Sequence, residues 1–251
     1  MSEESFELDF GDLVVKPEHL ATPEQILLVG GPGSGKTHSA FSLTEVEDLY
    51  PMLYIDTEGS TIGVADKFDQ SRVTVLRVNT HEELKKVLDK ILKAGKNLPY
   101  KTVVIDTIDA AQERAINLLK SRSGDNGYEV WAKVSTWLTG NDNDGLMHKL
   151  KKAPFLSVVI VHTREEKSTS GAVIQKVKLQ GSSKDVIASI PDMVLYQKRL
   201  QERDKSGNIS VATTVYTVGT KSFDQAKSRF DLPPVLTDAT LATVFEQIRK
   251  K

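Results

Sequence analysis

Eight consecutive residues, Gly30-Gly31-Pro32-Gly33-Ser34-Gly35-Lys36-Thr37, read G-x-x-x-x-G-K-T and follow directly on the apolar run Ile26-Leu27-Leu28-Val29. Residue types at this spacing bind phosphate. Glycines lacking a Cβ let successive backbone N–H groups turn inward around phosphate oxygens, and a helix opening near Lys36 adds the positive end of its dipole. Lys36 then lies along the β and γ phosphates, while the Thr37 hydroxyl takes one corner of an octahedral Mg2+. The expected nucleotide contacts are Gly30, Gly31, Pro32, Gly33, Ser34, Gly35, Lys36, Thr37 and His38. A glycine-rich turn that holds nothing is the alternative, and the preceding strand and following helix argue against it.

Two carboxylates complete the chemistry. Val103-Val104-Ile105-Asp106 is an apolar strand ending in an acid, the place from which a Mg2+ ligand faces Thr37. Taken alone, such an Asp more often caps the next helix; the phosphate loop upstream favours the ligand. A second strand ends Tyr54-Ile55-Asp56-Thr57-Glu58-Gly59. Glu58 is placed to aim a water at the γ phosphate, a task that neither Mg2+ nor Lys36 performs, because they stabilise charge without directing the nucleophile. The alternative for Glu58 is a solvated turn, and Asp56 either helps hold the site or caps that turn.

These groups need a sheet to hold them. The chain has 251 residues, enough for one large α/β domain with a buried core and short for two. Strands are expected at Ile26–Gly30, Met52–Ile55, Val73–Val78, Thr102–Asp106 and Leu156–His162, alternating with amphipathic helices as in a largely parallel sheet covered on both faces. One helix is clearly marked: Thr80 and Glu83 form a capping box, Leu84, Val87, Leu88, Ile91 and Leu92 make one stripe, and Gly95 stops it. Val173–Leu179, Met193–Leu200 and Ser210–Val218 look like strands joined by polar turns, one of them spanning residues 204–208, and are expected as antiparallel additions at one sheet edge. A closing helix over Asp238–Lys251 would take Thr237 as its N-cap. Residues 1–25 form a separate N-terminal segment in which Phe6, Leu8, Phe10 and Leu13 are apolar enough to tether a neighbour, and residues 26–251 form the core.

Composition excludes several classes. Lys plus Arg number 33 against 34 for Asp plus Glu, so no global basic field drives nucleic-acid binding, and any such contact must be local or shared among subunits. The absence of cysteine removes disulfides, thiolate zinc and a cysteine nucleophile, and the five histidines lack metalloprotease spacing. No apolar stretch approaches the roughly 20 residues that span a bilayer, and the acidic Met1-Ser2-Glu3-Glu4 is no signal peptide, so the expectation is a soluble intracellular protein without membrane contact.

The segment Tyr54-Ile55-Asp56-Thr57-Glu58-Gly59, lying between the phosphate loop and the Asp106 strand, resembles the RecA/RadA recombinase superfamily. Within it, residues 99–107, residues 158–163 and Ile190-Pro191-Asp192 look like phage-encoded RecA-core ATPases of single-strand annealing and recombination. The resemblance runs from about Ile26 to Val218, in motif order more than residue identity. It implies a RecA-like P-loop core with a mostly parallel α/β sheet, ATP and Mg2+ at the end of the first strand, and Glu58 as the catalytic glutamate. It further implies single-stranded DNA as partner, ring or filament homo-oligomers with ATP sites between neighbours, a single-strand binding protein nearby, and the cytoplasm of a phage-infected bacterium.

Departures and extensions complete the expectation. His162-Thr163 stands where the superfamily usually has an Asn-Gln pair after its fifth core strand, so His162 either senses the γ phosphate or is a satisfied strand-end histidine. Lys227-Ser228-Arg229 follows the last strand, where related rings and filaments send cations into the neighbour's ATP site; a solvated charged turn is the alternative. For DNA, the segment Lys120–Tyr128 offers Lys120, Arg122 and an aromatic where the superfamily has its first DNA loop. The segment Arg164–Gly171, with Arg164 and Lys167 set against Glu165 and Glu166, reads closer to a solvated hairpin. Trp131 and Trp137 read as packing residues rather than a stacking pair. The leading function is an ATP-dependent, single-stranded-DNA-binding recombination protein. The rivals are a ring-forming helicase or motor, a small-molecule kinase, and a nucleotide-gated binding module with little turnover.

Overall fold

The apolar runs do become strands. A computed structural model of the chain describes residues 22–123, 128–140, 144–167, 171–203 and 209–250. The proposed tether residues Phe6, Leu8, Phe10 and Leu13, the turn at residues 204–208 and part of each candidate DNA segment lie outside them. β1 (Gln25–Gly30), β2 (Met52–Asp56), β3 (Val73–Arg77), β4 (Thr102–Asp106) and β5 (Leu156–Lys167) run parallel. With β6 (Val173–Val177), β7 (Met193–Arg203), β8 (Ile209–Tyr216), β9 (Lys227–Ser228) and β10 (Val235–Thr237), the order across the sheet is β10-β8-β7-β1-β5-β4-β2-β3, with β6 on β5 and β9 on β7.

As expected, the sheet is mostly parallel and flanked by helices, with β8 and β10 antiparallel at one edge. Two of the three late strands sit elsewhere than expected. β7 pairs parallel with β1, Ile26 opposite Met193 through Val29 opposite Tyr196. Its run Met193-Val194-Leu195-Tyr196 is wholly buried, as parallel strands covered on both faces are. β6 folds back on an extension of β5, from Thr163 opposite Val177 to Lys167 opposite Val173.

Alternation along the strands splits the core into two layers. Leu27, Val29, Ile55, Ile105 and Val159 face α2 (His81–Ala94), α3 (Ile108–Ser123), α4 (Tyr128–Thr139) and α5 (Leu146–Lys151). Ile26, Leu28, Tyr54, Val104 and Ile160 face α1 (Lys36–Phe41) and α7 (Leu241–Arg249), which contribute Phe41 and Phe245. α2 keeps its Thr80–Glu83 capping box and its stop at Gly95. α7 is capped by Thr240 rather than Thr237, because Thr237 is spent in β10 opposite Thr214 and the apolar stripe begins only at Leu241. α6 (Ser183–Val186) is a single turn leading into β7. Among the described residues no helix is long and apolar enough to cross a membrane.

Candidate active site

The phosphate loop joins β1 to α1 in the form its residues require. Gly35 takes the left-handed conformation, φ 89°, at the N-cap of α1. Gly30 is hemmed in: a Cβ there would lie 2.5 Å from the Gln197 carbonyl and 2.6 Å from Ser34 Oγ, so only glycine fits. Lys36 is buried, and its Nζ donates to the Gly30 and Gly31 carbonyls at 2.9 Å each. Burial pulls the Lys36 pKa below its ordinary 10.5, and Asp106, Asp109 and Glu58 resist that pull.

Asp106 ends β4 against the loop. Its Oδ2 accepts the Thr37 hydroxyl at 2.9 Å, the Tyr54 phenol at 2.5 Å and the Ser60 hydroxyl at 2.6 Å. Tyr54 is fully buried, and burial followed by the Asp106 charge lifts its pKa well above the ordinary 10, so it stays a donor. Thr37 and Asp106 thus meet across the strand-to-helix junction.

The turn carrying Glu58 is built by Asp56. That buried carboxylate accepts the backbone N–H groups of Glu58, Gly59, Ser60 and Thr61 at 2.7–3.3 Å and the Thr61 hydroxyl at 2.7 Å. Burial raises the Asp56 pKa, but these hydrogen bonds outweigh it and hold the group below the ordinary 3.8. Asp56 therefore caps the turn. From α3, Arg114 donates to the carbonyls of Thr57 and Val78, which fixes the base of the turn from the other side. Glu58 remains 32 % exposed at its side chain and lines a cleft of about 380 Å3 with Gly33, Lys36, Thr37, Asp106 and His162. Ligand sites usually start near 300 Å3, so the volume suits a nucleotide's polyphosphate.

His162 also lines this cleft. Its backbone N–H donates to Asp109 Oδ1 at 3.1 Å, and its Nδ1 lies 3.0 Å from Asp109 Oδ2 and 3.8 Å from Glu58 Oε1. Burial raises the Asp109 pKa, and the His162 contacts more than reverse that, so Asp109 is a carboxylate and Nδ1 is the donating nitrogen. With Nδ1 given to Asp109, Nε2 is the ring nitrogen left to turn toward a phosphate. Thr163 stands closer to the loop, its Oγ1 3.7 Å from where a Gly31 Cβ would be.

The other expected residues do not gather here. Lys227 lies in β9 and Arg229 directly follows it, and β9 pairs with Met193 and Val194 at the end of the sheet opposite the phosphate loop. Lys227 donates to the Ser189 carbonyl at 2.9 Å, and Arg229 lies 3.5 Å from Asp192. Neither reaches the cleft of its own chain. Lys120 and Arg122 belong to α3 and not to a loop: Lys120 stands over the Trp131 ring at 5.5 Å, and Arg122 pairs with Glu82 at 2.7 Å. Both tryptophans are partly buried against the α3–α4 layer, as expected of packing residues. Arg164 and Lys167 lie in the β5 extension, with Arg164 paired to Glu166.

Several site residues escaped sequence reasoning. Tyr54 and Ser60 gave no signal beyond their neighbours. Asp109 did give one, three residues after Asp106 at a strand-to-helix junction. Gln197-Lys198-Arg199 interrupts an apolar strand with polar groups; Gln197 donates to the Ser34 carbonyl at 2.9 Å, and Arg199 lines the cleft together with Lys67 and His38. Burial lowers the His38 pKa first, then Lys67 and Arg199 lower it further.

Residues 22–230 match the AAA domain family. No curated protein matches the sequence. Among solved structures, the flagellar accessory protein FlaH from Methanocaldococcus jannaschii is 11 % identical with a TM-score of 0.46, covering 85 % of this chain and 83 % of its own. The RadB recombinase is 15 % identical with a TM-score of 0.49, covering 86 % of each chain.

Proposed function

Since the chain belongs to the AAA domain family and is a P-loop ATPase, we propose that it uses ATP binding and hydrolysis to control a hold on single-stranded DNA, as a recombination protein of the annealing or strand-pairing kind. The observation that carries the reading is the meeting of Lys36, Thr37, Asp106 and Glu58 on one cleft. That set separates the tasks of hydrolysis. The loop amides and Lys36 take the polyphosphate, Thr37 and Asp106 hold Mg2+, and Glu58 accepts a hydrogen bond from water and turns its lone pair toward the γ phosphorus. Mg2+, when bound, neutralises charge on the phosphate oxygens.

The DNA half of the reading draws on the motif resemblance and on one structural link. β5 carries His162 at the cleft and continues without a break into the hairpin with β6 that bears Arg164 and Lys167. A rigid strand can pass a shift at the cleft to whatever the hairpin touches, provided the ATP and ADP states bind DNA unequally. Assembly into a ring or filament, and work beside a single-strand binding protein, belong to the same proposal.

The test is ATP turnover by wild type and Glu58→Gln, each with and without single-stranded DNA. Wild type should hydrolyse ATP at a rate that DNA changes; Glu58→Gln should bind ATP and lose turnover by on the order of 100-fold or more. Equal turnover in both proteins would remove Glu58 from the chemistry. A rate and a nucleotide affinity indifferent to DNA would remove the DNA partner.

A further inference from the structure

The cleft is lined by groups of both signs, Asp106 and Glu58 against Lys36, Lys67 and Arg199. Lys36 is engaged by the Gly30 and Gly31 carbonyls. Of the other two cations, Arg199 has the better-fixed base. β7 stays in register with β1 through Tyr196 opposite Val29 and then runs on past the phosphate loop, which sets residues 197–199 beside it. Gln197 is only 3 % exposed and ties this stretch to the loop through the Ser34 carbonyl. The guanidinium then reaches back over the loop: a Cβ on Gly35 would sit 3.6 Å from Arg199 Nε and 3.9 Å from one of its Nη atoms. The missing side chain at Gly35 leaves open the space beside this cation.

Arg199 also lines a second cavity of about 410 Å3, bordered by Gly30–Ser34, Thr163, Glu165, Gln175 and Lys198. It therefore stands where the phosphate cleft meets the hairpin side of the molecule. The expected finger cations Lys227 and Arg229 are at the opposite end of the sheet.

We propose that Arg199 contacts the polyphosphate of ATP in cis, reaching it from the backbone position that β7 sets beside the loop. The inference rests on the ATPase reading above and names a contact within it. A guanidinium offers a planar fork of donors that matches two phosphate oxygens at once, which an ammonium cannot do. It acts through charge and hydrogen bonds alone; no proton leaves it.

Arg199→Ala and Arg199→Lys, both at an exposed position, are compared with wild type and Glu58→Gln for turnover, for affinity toward a fluorescent ATP analogue, and for the melting-temperature shift on adding Mg-ATP. Arg199→Ala should melt with wild type in the absence of nucleotide, yet lose turnover by on the order of 100-fold and much of the Mg-ATP shift. Arg199→Lys should recover less than a tenth of the lost turnover, because charge returns without the fork. Turnover and affinity of Arg199→Ala within twofold of wild type, while Glu58→Gln is inactive, would overturn the inference and leave the ATPase reading standing. Should wild type itself fail to hydrolyse ATP, the ATPase reading falls, and the affinity and melting measurements still decide whether Arg199 touches the nucleotide.

Discussion

The parallel sheet carries a buried carboxylate at each end, and the two are held by different kinds of partner. At the phosphate end, Asp106 Oδ2 is met by hydroxyls from Thr37, Tyr54 and Ser60. At the opposite end, Asp192 takes the backbone N–H groups of Glu24 and Gln25 at 3.0 and 3.2 Å, Lys151 at 2.7 Å and Arg229 at 3.5 Å. Amides and cations fill a carboxylate permanently, so Asp192 is a latch joining the start of β1 to the start of β7. Hydroxyls are both donors and acceptors, and the Thr37 oxygen can turn from Asp106 to a cation without leaving a buried group unpaired. An acid at a strand end is therefore a weak sign of chemistry; what surrounds it decides.

Asp106→Asn tests the first half of that contrast and should have the largest effect. The side chain keeps its size but loses the charge that faces Thr37, and turnover should fall by on the order of 100- to 1,000-fold while the melting temperature moves little. A matching loss of folding would mean that Asp106 is a second latch. Asp192→Ala tests the other half. Removing it orphans two amides and leaves Lys151 without its acid, so denaturant unfolding should show a loss of about 3 kcal/mol, with ATP affinity of the folded fraction intact.

Asp56 sharpens the comparison because it sits at the phosphate end and is satisfied like a latch. Asp56→Asn replaces one acceptor oxygen with a donor facing the Thr61 amide and hydroxyl, at a cost of about 2 kcal/mol. Turnover should drop as well, through the displaced Glu58 turn. Both Asp56 and Asp192 have folded pKa values below the ordinary 3.8. The stability they contribute is thus present above pH 3.8 and is lost as pH falls through 3.8 toward the folded values. Melting temperatures of wild type should decline across that acid window. Asp56→Asn and Asp192→Ala should each decline less steeply, and an unchanged slope would refute the depressed pKa.

Much of the site was legible because its signals are local. A loop's glycines, a strand's terminal acid and a capping box each declare themselves within a few residues, and Gly30–Thr37, Asp106, Glu58 and Thr80–Glu83 all lie where the spacing puts them. What stayed hidden depends on partners far along the chain. Arg199 matters because β7 pairs with β1, some 170 residues earlier, and Met193–Tyr196 reads equally well as an antiparallel edge until that pairing is known. Lys120 and Arg122 were expected in a loop because the superfamily places its first DNA loop there, yet α3 holds its helix to Ser123 with Leu119 and Ile116 packed on α4. Thr237 was the expected cap of the closing helix, and a three-residue strand took it, so Thr240 caps instead.

Arg229→Ala should give the smallest effect and asks most of the comparison. Its guanidinium is 63 % exposed and stands 3.5 Å from an Asp192 already held by Lys151 and two amides. An exposed pair added to a saturated acid is worth less than about 1 kcal/mol, so the melting temperature should shift by no more than a few degrees. A larger loss would show that the latch depends on both of its cations. The turnover of the same variant separates stability from chemistry: Arg229 lies across the sheet from its own cleft, so any fall in rate must come through a neighbouring subunit. Such a fall should deepen with protein concentration as subunits meet, whereas a rate unchanged at every concentration would confine Arg229 to the latch.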